Sequence, residues 1–197
     1  MSDTKEKILH ESLRLFARNG YEAVSCSDIA GVLGITKGAL YRHYKNKRDI
    51  FGSILAEMER RDAVRATAFD LPEGTLSDMP EKYRAASADK LISFCKAQFD
   101  YWTADDFASD FRRMLTVEQF RSEEMAALYR QYLSGGPLGY VADLLSAMGC
   151  TCPQEKAGEL YAHMFLGYSL YDGEKDKESV RSALFARLDK IRDELIR

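Results

Sequence analysis

The chain has 197 residues, 46% hydrophobic and 30% charged, with a formal net charge of −3, the balance of an ordinary globular protein and not of a disordered one. No apolar run approaches the roughly 20 residues of a membrane span. The opening MSDTKEKILHESLRLF mixes acids with bases and shows no small-residue cleavage site, and four scattered cysteines (Cys26, Cys95, Cys150, Cys152) fit reduced thiols, so a cytoplasmic protein is expected.

Charge is unevenly spread. Residues 1–51 carry nine Lys/Arg against six Asp/Glu, while the remainder carries nineteen against twenty-five. A basic head on an acidic body points to a polyanion partner at the head. With only four prolines, and glycines mostly between periodic segments, the chain reads as all-α.

In chain order, Thr4 to Arg18 places Ile8, Leu9, Leu13 and Phe16 on one face of an amphipathic helix, stopped by Asn19-Gly20. Ser25 to Asp28 caps a short helix ending at Leu33. Gly34 breaks it, Thr36 caps a second short helix to about Tyr44, and a long helix runs from Lys47 to Ala68. Residues 69–89, with two prolines and five acids, read as a long connection. Helical spacing resumes over Lys90–Trp102, 105–115 and 122–133. Gly135-Gly136-Pro137 then interrupts, and helices follow at 138–148, 154–171 and 178–196.

The layout Ile29-Ala30, Gly34-Ile35, Leu40 satisfies the needs of a helix-turn-helix: a small residue where two helices cross, a glycine for a tight turn, an apolar plug and an anchor. The free face of the second helix then enters a major groove about 12 Å wide. Thr36, Lys37, Gly38 and Ala39 form its reading turn, and Arg42 can reach a base. Tyr41, His43 and Tyr44 are candidate donors to phosphate oxygens. Lys47, at a helix start, and Ser25 and Ser27, at another, are further phosphate candidates.

The stretch GYEAVSCSDIAGVLGITKGALYRHYKNKRDIF (20–51) resembles the DNA-binding domain of TetR-family transcriptional regulators, with Asp-Ile-Ala, Gly-Ile-Thr-Lys-Gly and Leu-Tyr-x-His-Tyr in order. The resemblance covers residues 4–60. It implies a helix-turn-helix DNA-binding domain over 1–60 (motif about 25–44) and a C-terminal ligand-sensing and dimerisation domain over 61–197. It also implies a homodimer and a near-palindromic double-stranded operator, with the residues matching Lys37, Tyr41, His43, Tyr44 and Lys47 on the DNA side. Ser25 stands where Thr is commoner.

In the C-terminal part, Phe94, Trp102, Phe107, Phe111, Met114 and Tyr132 are candidates for an apolar effector pocket, with His163 as a polar handle. The helices at 154–171 and 178–196 are the expected dimer surface, where Gly158 and Gly167 would permit close approach. Cys150-Thr151-Cys152 supplies two thiols and no third ligand, so no metal or other cofactor is expected. No catalytic constellation is present. The sequence thus predicts a repressor released from its operator by an apolar or amphipathic small molecule. The alternative is a DNA-anchored regulator whose C-terminal domain binds a protein.

Overall fold

Apolar spacing sets the elements. The computed structural model of the chain describes residues 3–66, 72 and 76–196. Among the described residues every regular element is a helix: α1 (Asp3–Asn19), α2 (Cys26–Val32), α3 (Lys37–Tyr41), α4 (Lys47–Ala66), α5 (Pro80–Tyr83), α6 (Ala88–Ala104), α7 (Asp106–Glu118), α8 (Glu123–Leu133), α9 (Gly135–Ala147), α10 (Pro153–Gly173) and α11 (Lys177–Ile196).

Three departures from the spacing have a clear local reason. α3 stops at Tyr41 because the next amides reach back only three residues (Arg42 N–H to Ala39 O, 3.3 Å; His43 N–H to Leu40 O, 2.9 Å), which tightens the last turn. Gly135-Gly136-Pro137 opens α9 instead of preceding it, since a proline in a first turn lacks an N–H that would have no helical partner anyway. Part of the expected connection 69–89 forms α5, whose Tyr83 is buried, and the Tyr140 hydroxyl donates to the Pro72 carbonyl at 3.0 Å. Residues 67–71 and 73–75 of this region lie outside those described.

The chain forms two compact units. The first comprises Met1–Val64 with Asp106–Tyr129, so it takes in α7 and most of α8, beyond the 1–60 span read from the sequence. The reason is physical: α7 lies along α1, and its Phe107, Phe111, Met114 and Leu115 are buried there with Leu9, Leu13 and Phe16. The second unit comprises Arg65–Asp105 and Arg130–Arg197. In it α10 packs on α9, α11 and α6. Phe99 of α6 stacks on Tyr168 of α10 at 5.5 Å between ring centroids and meets Phe185 of α11 edge-on. Arg181 forms a bidentate pair with Asp100 (2.6 and 2.8 Å), tying α11 to α6. Gly167 serves this internal packing, because a Cβ there would stand 2.9 Å from Leu184 and 3.0 Å from Phe99; Gly158 has nothing within 4 Å.

Two glycines of α9 give opposite predictions. A Cβ on Gly136 would meet the Gln131 carbonyl oxygen at 2.3 Å, whereas one on Gly139 meets nothing within 4 Å. Gly136→Ala is expected to destabilise by about 1–3 kcal/mol through overpacking. Gly139→Ala is expected to stabilise by about 0.5–1 kcal/mol through helix propensity. Denaturant midpoints of the two variants check the sign.

Candidate nucleic-acid interface

The short helices begin with their caps. Ser25 Oγ accepts from the Asp28 N–H at 3.2 Å, and the Asp28 carboxylate accepts from the Ser25 N–H at 2.8 Å and the Ser25 hydroxyl at 2.7 Å, a reciprocal capping box at the start of α2. At the other end, Gly34 adopts φ +64°, which lets its N–H reach Gly31 O (3.2 Å) and the Ile35 N–H reach Ala30 O (3.0 Å). Thr36 then caps α3, its Oγ1 accepting from the Ala39 N–H at 3.1 Å. This sequence of cap, glycine turn and cap fixes where α3 leaves α2.

Leu40, fully buried, turns α3 so that Thr36, Lys37, Gly38, Tyr41 and Arg42 are exposed, with Ala39 and His43 half-buried. Lys37 and Tyr41 are four residues apart on one face, and the Lys37 ammonium lies 5.7 Å from the Tyr41 ring centroid. The result is a small exposed surface with two cations, a hydroxyl, a phenol and a glycine where backbone can approach a ligand closely. Such groups donate to base edges and to phosphate oxygens.

Residues 8–54 match the family described as "Bacterial regulatory proteins, tetR family". YerO, an uncharacterised helix-turn-helix transcriptional regulator of Bacillus subtilis, is 28% identical over 213 residues, covering 97% of this chain and 65% of that protein. A bacterial regulatory protein in the tetR family from Rhodococcus RHA1 has the same fold, with a TM-score of 0.64 at 19% identity over 99% of this chain and 98% of the other. The structure of SmeT in complex with triclosan superposes with a TM-score of 0.63 at 16% identity, over 96% and 90% of the two chains. Residues 8–54 are a TetR-family domain. That family is one of transcriptional regulators and not of enzymes. The match to YerO spans just under two-thirds of that protein's length.

Against the TetR pattern, two expected DNA-side residues face inward. Tyr44 is 2% exposed, and its hydroxyl donates to the Lys5 carbonyl at 3.1 Å, which corrects the expectation of a phosphate donor; burial pushes this phenol up to about 12. Lys47 directs its ammonium to the Tyr21 carbonyl at 2.7 Å and the Glu22 carbonyl at 3.3 Å, and lies 4.3 Å from the Tyr21 ring centroid. Arg48 is held by Glu124 of α8, Nη1 to Oε2 at 2.9 Å. Ser25 is engaged by its cap, while Ser27 is exposed in the first turn of α2. Lys45 stands exposed in the turn after α3 and was missed as a candidate, since no periodicity marks a turn residue.

The residues expected to line an effector pocket do not form one set. Phe107, Phe111 and Met114 belong to the N-terminal unit and are buried on α7, a correction to their assignment to the C-terminal domain. Phe107 lies edge-on to His10 at 5.2 Å and borders a cleft of about 530 Å³ whose other walls include Arg14, Arg18, Asp106 and Asp110. Phe94, Trp102, Tyr132 and His163 belong to the second unit. Phe94 is half-buried against Tyr140 at 5.8 Å, and Trp102 is buried beside Tyr101 at 5.4 Å. Tyr132 is half-buried on α8. His163 accepts from Arg187 Nε at 2.7 Å, and the same guanidinium donates to Glu159 at 2.9 Å, so the imidazole nitrogen is already in use.

The capping box carries a pH signature. Hydrogen bonds from the Ser25 hydroxyl, then from its N–H, hold the Asp28 carboxyl below the usual range. The box is therefore complete at neutral pH and is lost as pH falls through that lowered value. Ser25→Ala is expected to lower the melting temperature by about 2–4 °C at pH 7, with the gap to wild type narrowing below about pH 4.

Proposed function

We propose that the chain is a sequence-specific DNA-binding transcriptional regulator that works in the cytoplasm as a homodimer on a near-palindromic operator. We further propose that it acts as a repressor released by an apolar or amphipathic small molecule. The observation that carries the DNA-binding reading is the exposed turn of α3, capped by Thr36 and anchored by Leu40, which presents Lys37, Tyr41 and Arg42 together on a TetR-type domain. Thr36, Gly38, Ala39 and Arg42 are its base-reading residues, with Ser27, Lys37, Tyr41 and His43 at phosphates. The effector reading is supported by the SmeT–triclosan complex, in a protein of the same fold. For this chain we place the effector in the second unit, near Phe94, Trp102 and Tyr132.

In vitro selection from random duplexes, followed by affinity measurements over a range of salt concentrations, tests the first part. Lys37→Ala and Tyr41→Ala are each expected to weaken binding by about tenfold or more, and Lys37→Ala to flatten the salt slope by about one. Wild-type affinity and slope in both variants would remove these residues from the interface.

The dimer is supported by α10. Its inner face buries Ala157, Leu160, Met164, Gly167 and Tyr168, yet its outer face leaves Phe165, Leu166 and Leu170 exposed at 51%, 56% and 45%. A helix apolar on both sides has a second partner to find. Leu166→Glu is expected to convert a dimer to a monomer in sedimentation equilibrium and to weaken operator binding; a dimer of unchanged stability would place the interface elsewhere.

A further inference from the structure

Glu118, the last residue of α7, is the one carboxylate among the described residues that is buried, at 1% exposure. Its Oε1 accepts the backbone N–H of Tyr21 at 3.0 Å, across 97 positions of sequence, and Arg121 Nε lies 3.2 Å away. Gly20 leaves room for this carboxylate, because a Cβ there would stand 2.9 Å from Oε1. The other groups of Tyr21 are held as well. Its carbonyl accepts from Lys47, and its ring lies between Phe16 (5.0 Å) and Phe51 (5.2 Å).

Tyr21 is thus fixed at its amide, its carbonyl and its ring by α7, α4 and α1. Ser25, the cap of α2, follows four residues later, and each residue spans at most about 3.5 Å. The place where α2 starts follows from where Tyr21 is held, and the glycine turn passes that placement to α3. Burying a carboxylate is costly unless its partners need it, and without Glu118 the Tyr21 N–H would be a buried donor with nothing to bond.

We propose that Glu118 is a positioning residue for DNA reading: it touches no nucleic acid, and acts through the Tyr21 amide to set the approach of α3. This rests on the DNA-binding reading above.

The test uses the full chain, with the tightest duplex recovered by selection as probe. Glu118→Ala and Glu118→Gln are compared with wild type at several salt concentrations, below the unfolding midpoint of all three and corrected for active fraction. Glu118→Ala is expected to weaken binding by about tenfold at a wild-type salt slope, because no phosphate contact is lost. Glu118→Gln keeps an acceptor oxygen for the Tyr21 N–H and is expected to stay within about threefold of wild type. Wild-type affinity in the alanine variant overturns the proposal. So does an equal loss in both variants, or a slope flattened as by Lys37→Ala. A wild-type protein that selects no duplex overturns the DNA-binding reading itself, an outcome separate from any difference among the three proteins.

Discussion

A helix of five residues has no stability of its own. Nucleating the first turn fixes about six dihedrals for one hydrogen bond, and isolated helices shorter than about 12 residues are marginal in water. α3 exists because its surroundings supply what its length does not: the Thr36 cap, the Gly34 turn and the burial of Leu40. Its rotation about its own axis is fixed by the same side chain. With Leu40 inward, Lys37 and Tyr41 must point outward together, since residues four apart share a face. The exposed surface of α3 is therefore a property of the scaffold as much as of the residues that form it.

The basic head divides once the partners are known. Lys47 is held by the carbonyls of Tyr21 and Glu22, and Arg48 by Glu124. Both cations hold α4 to the rest of the unit. Lys37, Arg42 and Lys45 face outward. A charge excess read from composition counts all of these alike, so it overstates what is available to a polyanion. Tyr44 follows the same rule, with a phenol that would suit a phosphate but that bonds the Lys5 carbonyl inside the unit.

What was legible in the sequence was local. The Ser25 and Thr36 caps, the Gly34 turn, and Ile29, Ala30 and Leu40 as the crossing all follow from residues within a dozen positions of one another, where spacing determines contact. What was not legible joined distant segments. Phe107, Phe111 and Met114 read as pocket residues because an aromatic-rich helix does not announce its neighbour, and that neighbour, α1, lies about a hundred residues upstream. The Glu118–Tyr21 bond leaves no trace in either local pattern. Gly167 was expected to permit close approach at a dimer surface, but the groups that approach it are Leu184 of α11 and Phe99 of α6 in the same chain.

The N-terminal unit is assembled from two separated pieces of chain, Met1–Val64 and Asp106–Tyr129. During synthesis α1 to α4 emerge first, and α7, the helix that covers one side of α1, emerges only after some forty intervening residues. The N-terminal unit is thus completed late, when translation has passed Tyr129, although every outward-facing residue of α3 has been synthesised by Arg42. A chain interrupted between the two pieces would carry every outward-facing residue of α3 and lack the helix that packs along α1.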